Sequence, residues 1–386
     1  MARFVAIPVT VGDAYFLERT AGSVLVDGGM NRAAFPELFR QSTRRSEVDI
    51  LVVTHNDADH TNGVAGFLDA GLTCKEIWLP GRWLDVLPEI ANDPDAAFDD
   101  VIKQGHEFWV EHSKDFERPP SIQEVGDRLA RNSEDEYVAA EFPEAGEWPD
   151  EVADAMEAEE IFGGEGLWGD GEVTLSEVIL PWMQKSPGWT LVEQAIRAGV
   201  RILEIARLAY FNGIPVRWFT HAPDAPAGGI HGFLEPVTAR QVVRVFSRRS
   251  LFERLCLSTA NVESLVFYSP ADAEAPGVLF TTDSDLQLAS VPTHPHDVVT
   301  TPHHGSHHNA RAYTSILAPV LKHEQNTVTW VRSDRRSKSR PCGAYQRLHA
   351  RKICTICSSG EAKQKIILIG RQQRWARHPT VRICKC

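Results

Sequence analysis

Apolar residues fill most of Phe4–Val11 and of Ser23–Val26. Both segments therefore read as strands, joined through Gly12-Asp13 and a turn at Thr20-Ala21-Gly22. The second runs into Asp27-Gly28-Gly29, where glycine permits a tight turn close to a site. A short helix is expected near 33–41. Val48–Thr54 then reads as a buried strand, Val64–Leu68 as helix ending at Gly71, and Ile77–Leu79 as another buried strand. From about residue 84 the period changes. Residues 84–210 read as largely helical, with breaks at Pro119-Pro120 and Gly163-Gly164-Glu165-Gly166, and Thr190–Tyr210 carries the clearest helical spacing. Strands resume at Pro215–Phe219 and recur at Ser264–Tyr268, Val278–Thr281, Val298–Thr301, Thr327–Val331 and Lys365–Ile369. Strands on both sides of a helical block predict one sheet-based domain, 1–83 and 213–386, carrying a helical insertion, 84–212.

The chain's 386 residues fit that plan of one large domain with an insertion. Its net charge of −12 hides an asymmetry: residues 91–180 hold 26 acidic and 5 basic side chains, and residues 321–386 hold 16 basic and 3 acidic. Either the surface is polarised, with a basic end that attracts a polyanion, or the two segments neutralise each other across an interface. The N-terminus reads as a strand and lacks a signal-peptide core, and no apolar run approaches the ~18 residues of a spanning helix. A cytoplasmic protein with no membrane partner is the expectation. Seven cysteines argue against a disulfide framework. Cys354-x-x-Cys357 with Cys384-x-Cys386 could form a small zinc site, against the plainer reading of a buried strand and a frayed end. Trp109, Trp148, Trp168 and Trp182 read as helical core rather than base-stacking platforms.

The candidate chemistry sits after Val48–Thr54. There His55, Asp57, Asp59 and His60 crowd the end of a buried strand, where the chain can turn and aim several ligands at one point. Asp283, after Val278–Thr281, reads as a further ligand or as a helix N-cap. His303 and His304 end the strand Val298–Thr301.

Taken together these segments resemble the metallo-β-lactamase superfamily, and within it the ComEC-like branch of DNA-uptake proteins and their stand-alone soluble relatives. The segments are Thr10–Ala14, Asp27–Gly29, Thr54–Gly63 (H-x-D-x-D-H), Asn261–Val266, Leu279–Asp283 and Pro302–Ser306, with Ser339–Leu348 and Cys354-Thr355 matching that branch's last helix and closing strand. The resemblance covers roughly 1–80 and 213–370. It implies an α/β fold, an αββα sandwich of the metallo-β-lactamase type with a large helical acidic insertion. It also implies two divalent metal ions, zinc or manganese foremost. His55 and Asp57 would bind one and Asp59 and His60 the other, with Asp283 bridging them and one of His303 and His304, by preference His304, completing the second site. Asp59 and His304 are the residues expected to carry catalysis. Ser306, His307, Arg335 and Arg336 are the candidates for substrate contact, the arginines within the basic run Arg332–Arg340.

Two cations a few ångström apart can lower a bound water's pKa from about 15.7 towards 7 and neutralise an oxygen-rich transition state. Asp57, where the commoner motif has a histidine, makes the first site richer in oxygen and shifts preference towards manganese, magnesium or iron. Thr282 stands where a glycine usually precedes the bridging aspartate. No middle ligand for the first metal is evident; His221 and His231 lie in the right stretch but read as loop residues. The expected activity is phosphodiester hydrolysis by a metal-activated water, on DNA or RNA. The alternatives are hydrolysis of a small phosphodiester, cyclic nucleotide or lactone, and a non-catalytic sensor that binds a protein partner through the insertion.

Overall fold

The computed structural model describes residues 1–132, 135–140, 146–162, 187–288, 291–294, 296–307, 309–313, 328–334, 340–348, 350–356 and 364–382. Among these, one sheet comprises β1 (Arg3–Ala6), β2 (Tyr15–Arg19), β3 (Gly22–Val26), β4 (Glu47–Val52), β5 (Thr73–Pro80), β6 (Glu136–Ala139), β7 (Val216–His221), β9 (Ala239–Phe246), β15 (Ile366–Arg371) and β16 (Arg374–Arg377). Its order is β16-β15-β1-β2-β3-β4-β5-β7-β9-β6. A second sheet holds β8 (Glu235–Pro236), β10 (Phe267–Ser269), β11 (Val278–Phe280), β12 (Val298–Thr300), β13 (Thr329–Arg332) and β14 (Arg351–Cys354), in the order β14-β13-β12-β11-β10-β8. The strands β3, β4, β5 and β7 run parallel, as do β11 to β14.

Alternation along the strands builds the layers. Phe4, Val24, Val26, Ile50, Val52 and Trp78 of the first sheet face Phe267, Val278, Phe280, Val298 and Val331 of the second, forming the core between them. Their neighbours Val5, Leu25, Leu51, Ile77 and Leu79 point to the other face and meet helices. These are α1 (Phe35–Thr43), α2 (Ala58–Asp69), α3 (Leu87–Asn92), α4 (Pro94–His112), α5 (Ile122–Ala130), α6 (Asp150–Phe162), α7 (Pro187–Phe211) and α8 (Leu251–Ser258). On the outer face of the second sheet, Leu279, Val299 and Trp330 pack with Tyr313 and with Tyr345 of α9 (Gly343–Gln346). The result is an αββα sandwich. None of the helices among the described residues is long and apolar enough to cross a membrane.

Several expected elements change. The first strand ends at Ala6 rather than Val11, and β2 occupies residues expected as connection. Pro8 has no amide hydrogen for a ladder and Gly12 takes φ +91°. The segment between β5 and β7 is mainly helical but includes β6, which pairs antiparallel with β9 at the sheet edge. Its helices do not form a separate core: Phe98, Val125, Leu191 and Ile202 join the same apolar cluster as Leu25 and Leu51. Trp148 packs edge-on against Tyr210 and Trp218, while Trp168 and Trp182 lie outside the described residues. Cys354 is buried at the end of β14; Cys357, Cys384 and Cys386 lie outside the described residues. Between described residues, the ion pairs of 91–180 run to Arg82, Arg118, Arg128 and Arg244, and none joins that segment to 321–386.

Candidate metal centre

The carboxyl end of β4 delivers Thr54 and His55 to the gap between the sheets, and the chain turns at Asn56 into α2 with Asp57 at the N-cap position. An N-cap aspartate ordinarily accepts the first amides of its helix, a contact worth about 1 kcal/mol. Asp57 makes no such bond. Its backbone carbonyl instead accepts the amides of His60 and Thr61, at 3.0 and 2.9 Å. The carboxylate turns away, with Oδ2 3.7 Å from His55 Nε2 and Oδ1 accepting Gln123 Nε2 of α5 at 3.0 Å.

Close backbone approach holds two earlier turns against this loop. A Cβ on Gly63 would lie 1.9 Å from the Gly28 carbonyl oxygen, and one on Gly12 would lie 1.6 Å from that of Asp59. Only glycine fits either contact. The contacts bring Asp13 and Asp27 behind the histidines. From the second sheet, Asp283 follows β11, and His303 and His304 follow β12. Backbone strain gathers here: Asp27, Thr282, His303 and His304 have φ of +58°, +47°, +44° and +51°. At the β-branched Thr282 this left-handed conformation costs on the order of 1–3 kcal/mol, which explains why glycine suits that position.

Two groups of ligand atoms result. Those of His55, Asp57 and Asp283 lie within 4.8 Å of one another, and so do those of Asp13, His60, Asp283 and His304. Asp283 is common to both. Nε2 of His55, His60 and His304 and Oδ1 of Asp283 are buried without a hydrogen-bond partner. His60 and His304 point Nε2 at Asp283 Oδ1 from 3.4 and 3.5 Å, longer than a good hydrogen bond. Behind them every Nδ1 is held. His55 meets the hydroxyls of Thr54 and Ser264 at 3.1 Å each, His60 meets Asp27 Oδ2 at 2.7 Å, and His304 meets Asp13 Oδ1 at 3.0 Å. Asp27 is in turn fixed by the Thr54 amide and hydroxyl, and Asp13 by the Tyr15 hydroxyl at 2.9 Å. Carboxylates that orient imidazoles in this way set the ring angle and leave Nε2 as the ligand atom.

Burial opposes charge on each of these groups, and the pairing overcomes it. Asp283 and Asp27 hold His60 well above the usual imidazole range, and Asp13 and Asp283 do the same for His304. Asp283 is held well below the usual carboxylate range by His303, His304 and His60, and Asp59 is lowered by His304, 3.5 Å away, and by the His60 charge. Protons on the histidines thus balance the carboxylates, and a cation would displace them. Inward-facing imidazole nitrogens and carboxylate oxygens, buried and unsatisfied, fit a pair of divalent ions, with the His55–Asp57 group the richer in oxygen.

The remaining expected site residues fall around this centre. Asp59 lies outside both groups, although its Oδ2 is 3.5 Å from His304 Nε2 and its side chain is 18 % exposed. His304 is fully buried in the second group, whereas His303 sits at the rim, 19 % exposed, with Nε2 3.5 Å from Asp283 Oδ2 and Nδ1 2.9 Å from Asn309 Oδ1. Ser306 is buried and its amide donates to the His303 carbonyl at 2.7 Å; His307 is exposed. His221 ends β7 outside both groups, and His231 is exposed and paired with Glu235 at 2.9 Å. Arg335 and Arg336 lie outside the described residues. Arg332, at the head of the basic run, is fully buried and donates from Nη2 to the Ile356 carbonyl at 2.9 Å, so it presents no phosphate-binding face.

Asp13, Asp27, Ser264, Gln123 and Arg201 are not among the site residues that the sequence predicts. The first three lie in segments already singled out, Thr10–Ala14, Asp27–Gly29 and Asn261–Val266, and a search for partners to each histidine's second nitrogen would have found them. Residues 7–77 match the family model of the metallo-beta-lactamase superfamily. The match spans the turns of Asp13 and Asp27 and the whole His55–His60 loop, and it supports the superfamily assignment. With the sandwich and the paired ligand groups, it identifies a metallo-β-lactamase-type fold with the donor set of a metal-dependent hydrolase. Asp283 and His304, which complete the metallo-β-lactamase-like centre, lie beyond the matched residues. No curated protein matches the chain.

Proposed function

We propose that the protein is a metal-dependent phosphodiesterase of the ComEC-like kind, with nucleic acid as its leading substrate. One observation carries this reading: three histidine nitrogens and an aspartate oxygen, all buried and unsatisfied, converge on two ligand groups that share Asp283. His55, Asp57 and Asp283 would hold one ion, and His60, Asp283 and His304, with Asp59 beside them, the other. Bound there, two cations would supply a nucleophilic water and neutralise charge developing on the substrate's oxygens. Asp13 and Asp27 keep His304 and His60 turned inward. Asp59 and His303, the partly exposed members of the set, mark the open side where substrate enters. His303 Nε2 is positioned there to hold a proton for the leaving oxygen.

A second reading, with a small phosphodiester or cyclic nucleotide as substrate, is favoured by closure of the site. His55, Asp57, His60, Asp283 and His304 are each 6 % exposed or less, and α5 and α7 lie over the His55–Asp57 half. Purified protein supplied with manganese or zinc, assayed on single-stranded DNA, RNA and bis(p-nitrophenyl) phosphate, tests both. Cleavage of the polymers that is lost in Asp59→Ala supports the first reading, and turnover of the small ester alone supports the second. No turnover of any of them in protein that retains two metal equivalents sinks both.

A further inference from the structure

One arginine reaches the metal centre from α7. Arg201 Nη2 donates to the Asn56 carbonyl at 2.8 Å, on the residue between the ligands His55 and Asp57. That carbonyl is fixed, because Asn56 Nδ2 donates to the Ala198 carbonyl and the Ser258 hydroxyl at 3.0 Å each, and the Asn56 amide donates to the Ser258 carbonyl. Arg201 Nε is buried without a partner among the described residues. Burial lowers its pKa, and the nearby charges of Asp57 and Asp59 oppose this only in part. Gln194, Ala198 and Arg201 share one face of α7. Gln194 accepts the Ile122 amide at the start of α5, so the same face also anchors the helix that carries Gln123.

A half-buried guanidinium whose Nε–H is buried and unused beside a metal centre is costly unless an anion completes it. Its planar fork suits phosphoryl oxygens, and one arm is already locked in place. We propose that Arg201 is a substrate-binding residue that holds a phosphoryl oxygen beside the His55–Asp57 position, so that the segment between β5 and β7 takes part in selecting an anionic substrate. This rests on the phosphodiesterase reading but can be tested apart from it.

The test uses the full chain loaded with manganese and two variants, Arg201→Met and Arg201→Lys. Inorganic phosphate is titrated calorimetrically, metal content is measured, and KM and kcat are determined on bis(p-nitrophenyl) phosphate. Arg201→Met should keep the wild-type metal content and bind phosphate about tenfold or more weakly, as loss of a charged hydrogen bond predicts. KM should rise by a similar factor while kcat falls less, and Arg201→Lys should recover part of the phosphate affinity. Phosphate affinity within twofold of wild type in both variants overturns the proposal. So does loss of metal in Arg201→Met that Arg201→Lys restores, because that marks a brace for the loop. If Arg201→Met does not fold, unchanged phosphate binding and KM in Arg201→Lys alone overturn it. Phosphate binding that depends on Arg201 in a wild type that turns over no phosphodiester supports the anion site and removes the phosphodiesterase reading.

Discussion

The two halves of the metal centre are built differently. The His60–His304 half comes entirely from the sandwich: its imidazoles are backed by carboxylates from two early turns, and His60, Asp283, His304, Asp13 and Asp27 are each 2 % exposed or less. The His55–Asp57 half leans on hydroxyls for His55 and on a glutamine from α5 for Asp57, with Arg201 of α7 alongside. A carboxylate behind an imidazole strengthens it as a ligand, whereas an amide donating to a carboxylate weakens its hold on a cation but fixes its angle. The first half should therefore bind its ion more tightly, and the second should be the half that the helical segment adjusts.

The largest effect belongs to the residue that both halves share. Asp283→Ala should reduce metal content to less than one equivalent. It should lower phosphodiester turnover by more than the roughly 10–100-fold that loss of an outer partner costs. Retention of two tightly bound metals would remove Asp283 as the bridge. Asp27→Asn and Gln123→Ala then separate the halves. Asp27→Asn should weaken one metal site by about 10–100-fold and leave the other nearly unchanged, whereas Gln123→Ala should weaken the opposite site by about tenfold. Calorimetric metal titration reads both, and equal weakening of both sites by either variant would erase the distinction between the halves.

The pH dependence of the metal-free protein sharpens the same contrast. His60 and His304 are raised in the fold, so their contribution is complete below about pH 6.5 and is lost as pH rises through their folded values. Asp59 and Asp283 are lowered, so theirs is present above about pH 3.9 and is lost as pH falls through their folded values. Thermal melts without metal should peak between about pH 4 and 6.5 and decline on either side. Added manganese should raise the melting point most on the alkaline side, and an equal gain at every pH would count against proton displacement by the metal. The smallest effect concerns Thr282, whose left-handed strain exceeds the chain-entropy cost of glycine. Thr282→Gly should stabilise the metal-free protein by about 1 kcal/mol in denaturant melts. A loss of stability would show that the Thr282 side chain contributes more than its strain removes.

Much of the ligand set was legible in the sequence because its signal is local. His55, Asp57, Asp59 and His60 crowd six residues, and Asp283, His303 and His304 each follow an apolar run. The central parallel strands were legible for the same reason, since burial on both faces writes a continuous apolar stretch such as Ile50–Val53. Elements at the edges were not. β6 and β9 carry exposed positions such as Tyr137, Val138, Val243 and Phe246, and their pairing joins segments far apart in the chain. Gln123 gave no signal, because a glutamine in the first turn of a helix is unremarkable. Arg201 gave a faint one: it lies between the buried Ala198 and Ile205, where a charge calls for a partner.

The sequence by itself determined that the chain would gather metal-binding side chains at strand ends, and which fold would hold them. That information lies in short runs of residues, where periodicity and spacing act between near neighbours. Only the tertiary structure decided which carboxylate stands behind which histidine, and that Gln123 and Arg201 reach the centre. Those relations depend on distances between residues far apart in the chain, such as Asp27 and His60 at 33 positions and Asp13 and His304 at 291, and chain folding sets such distances through packing that no local pattern records.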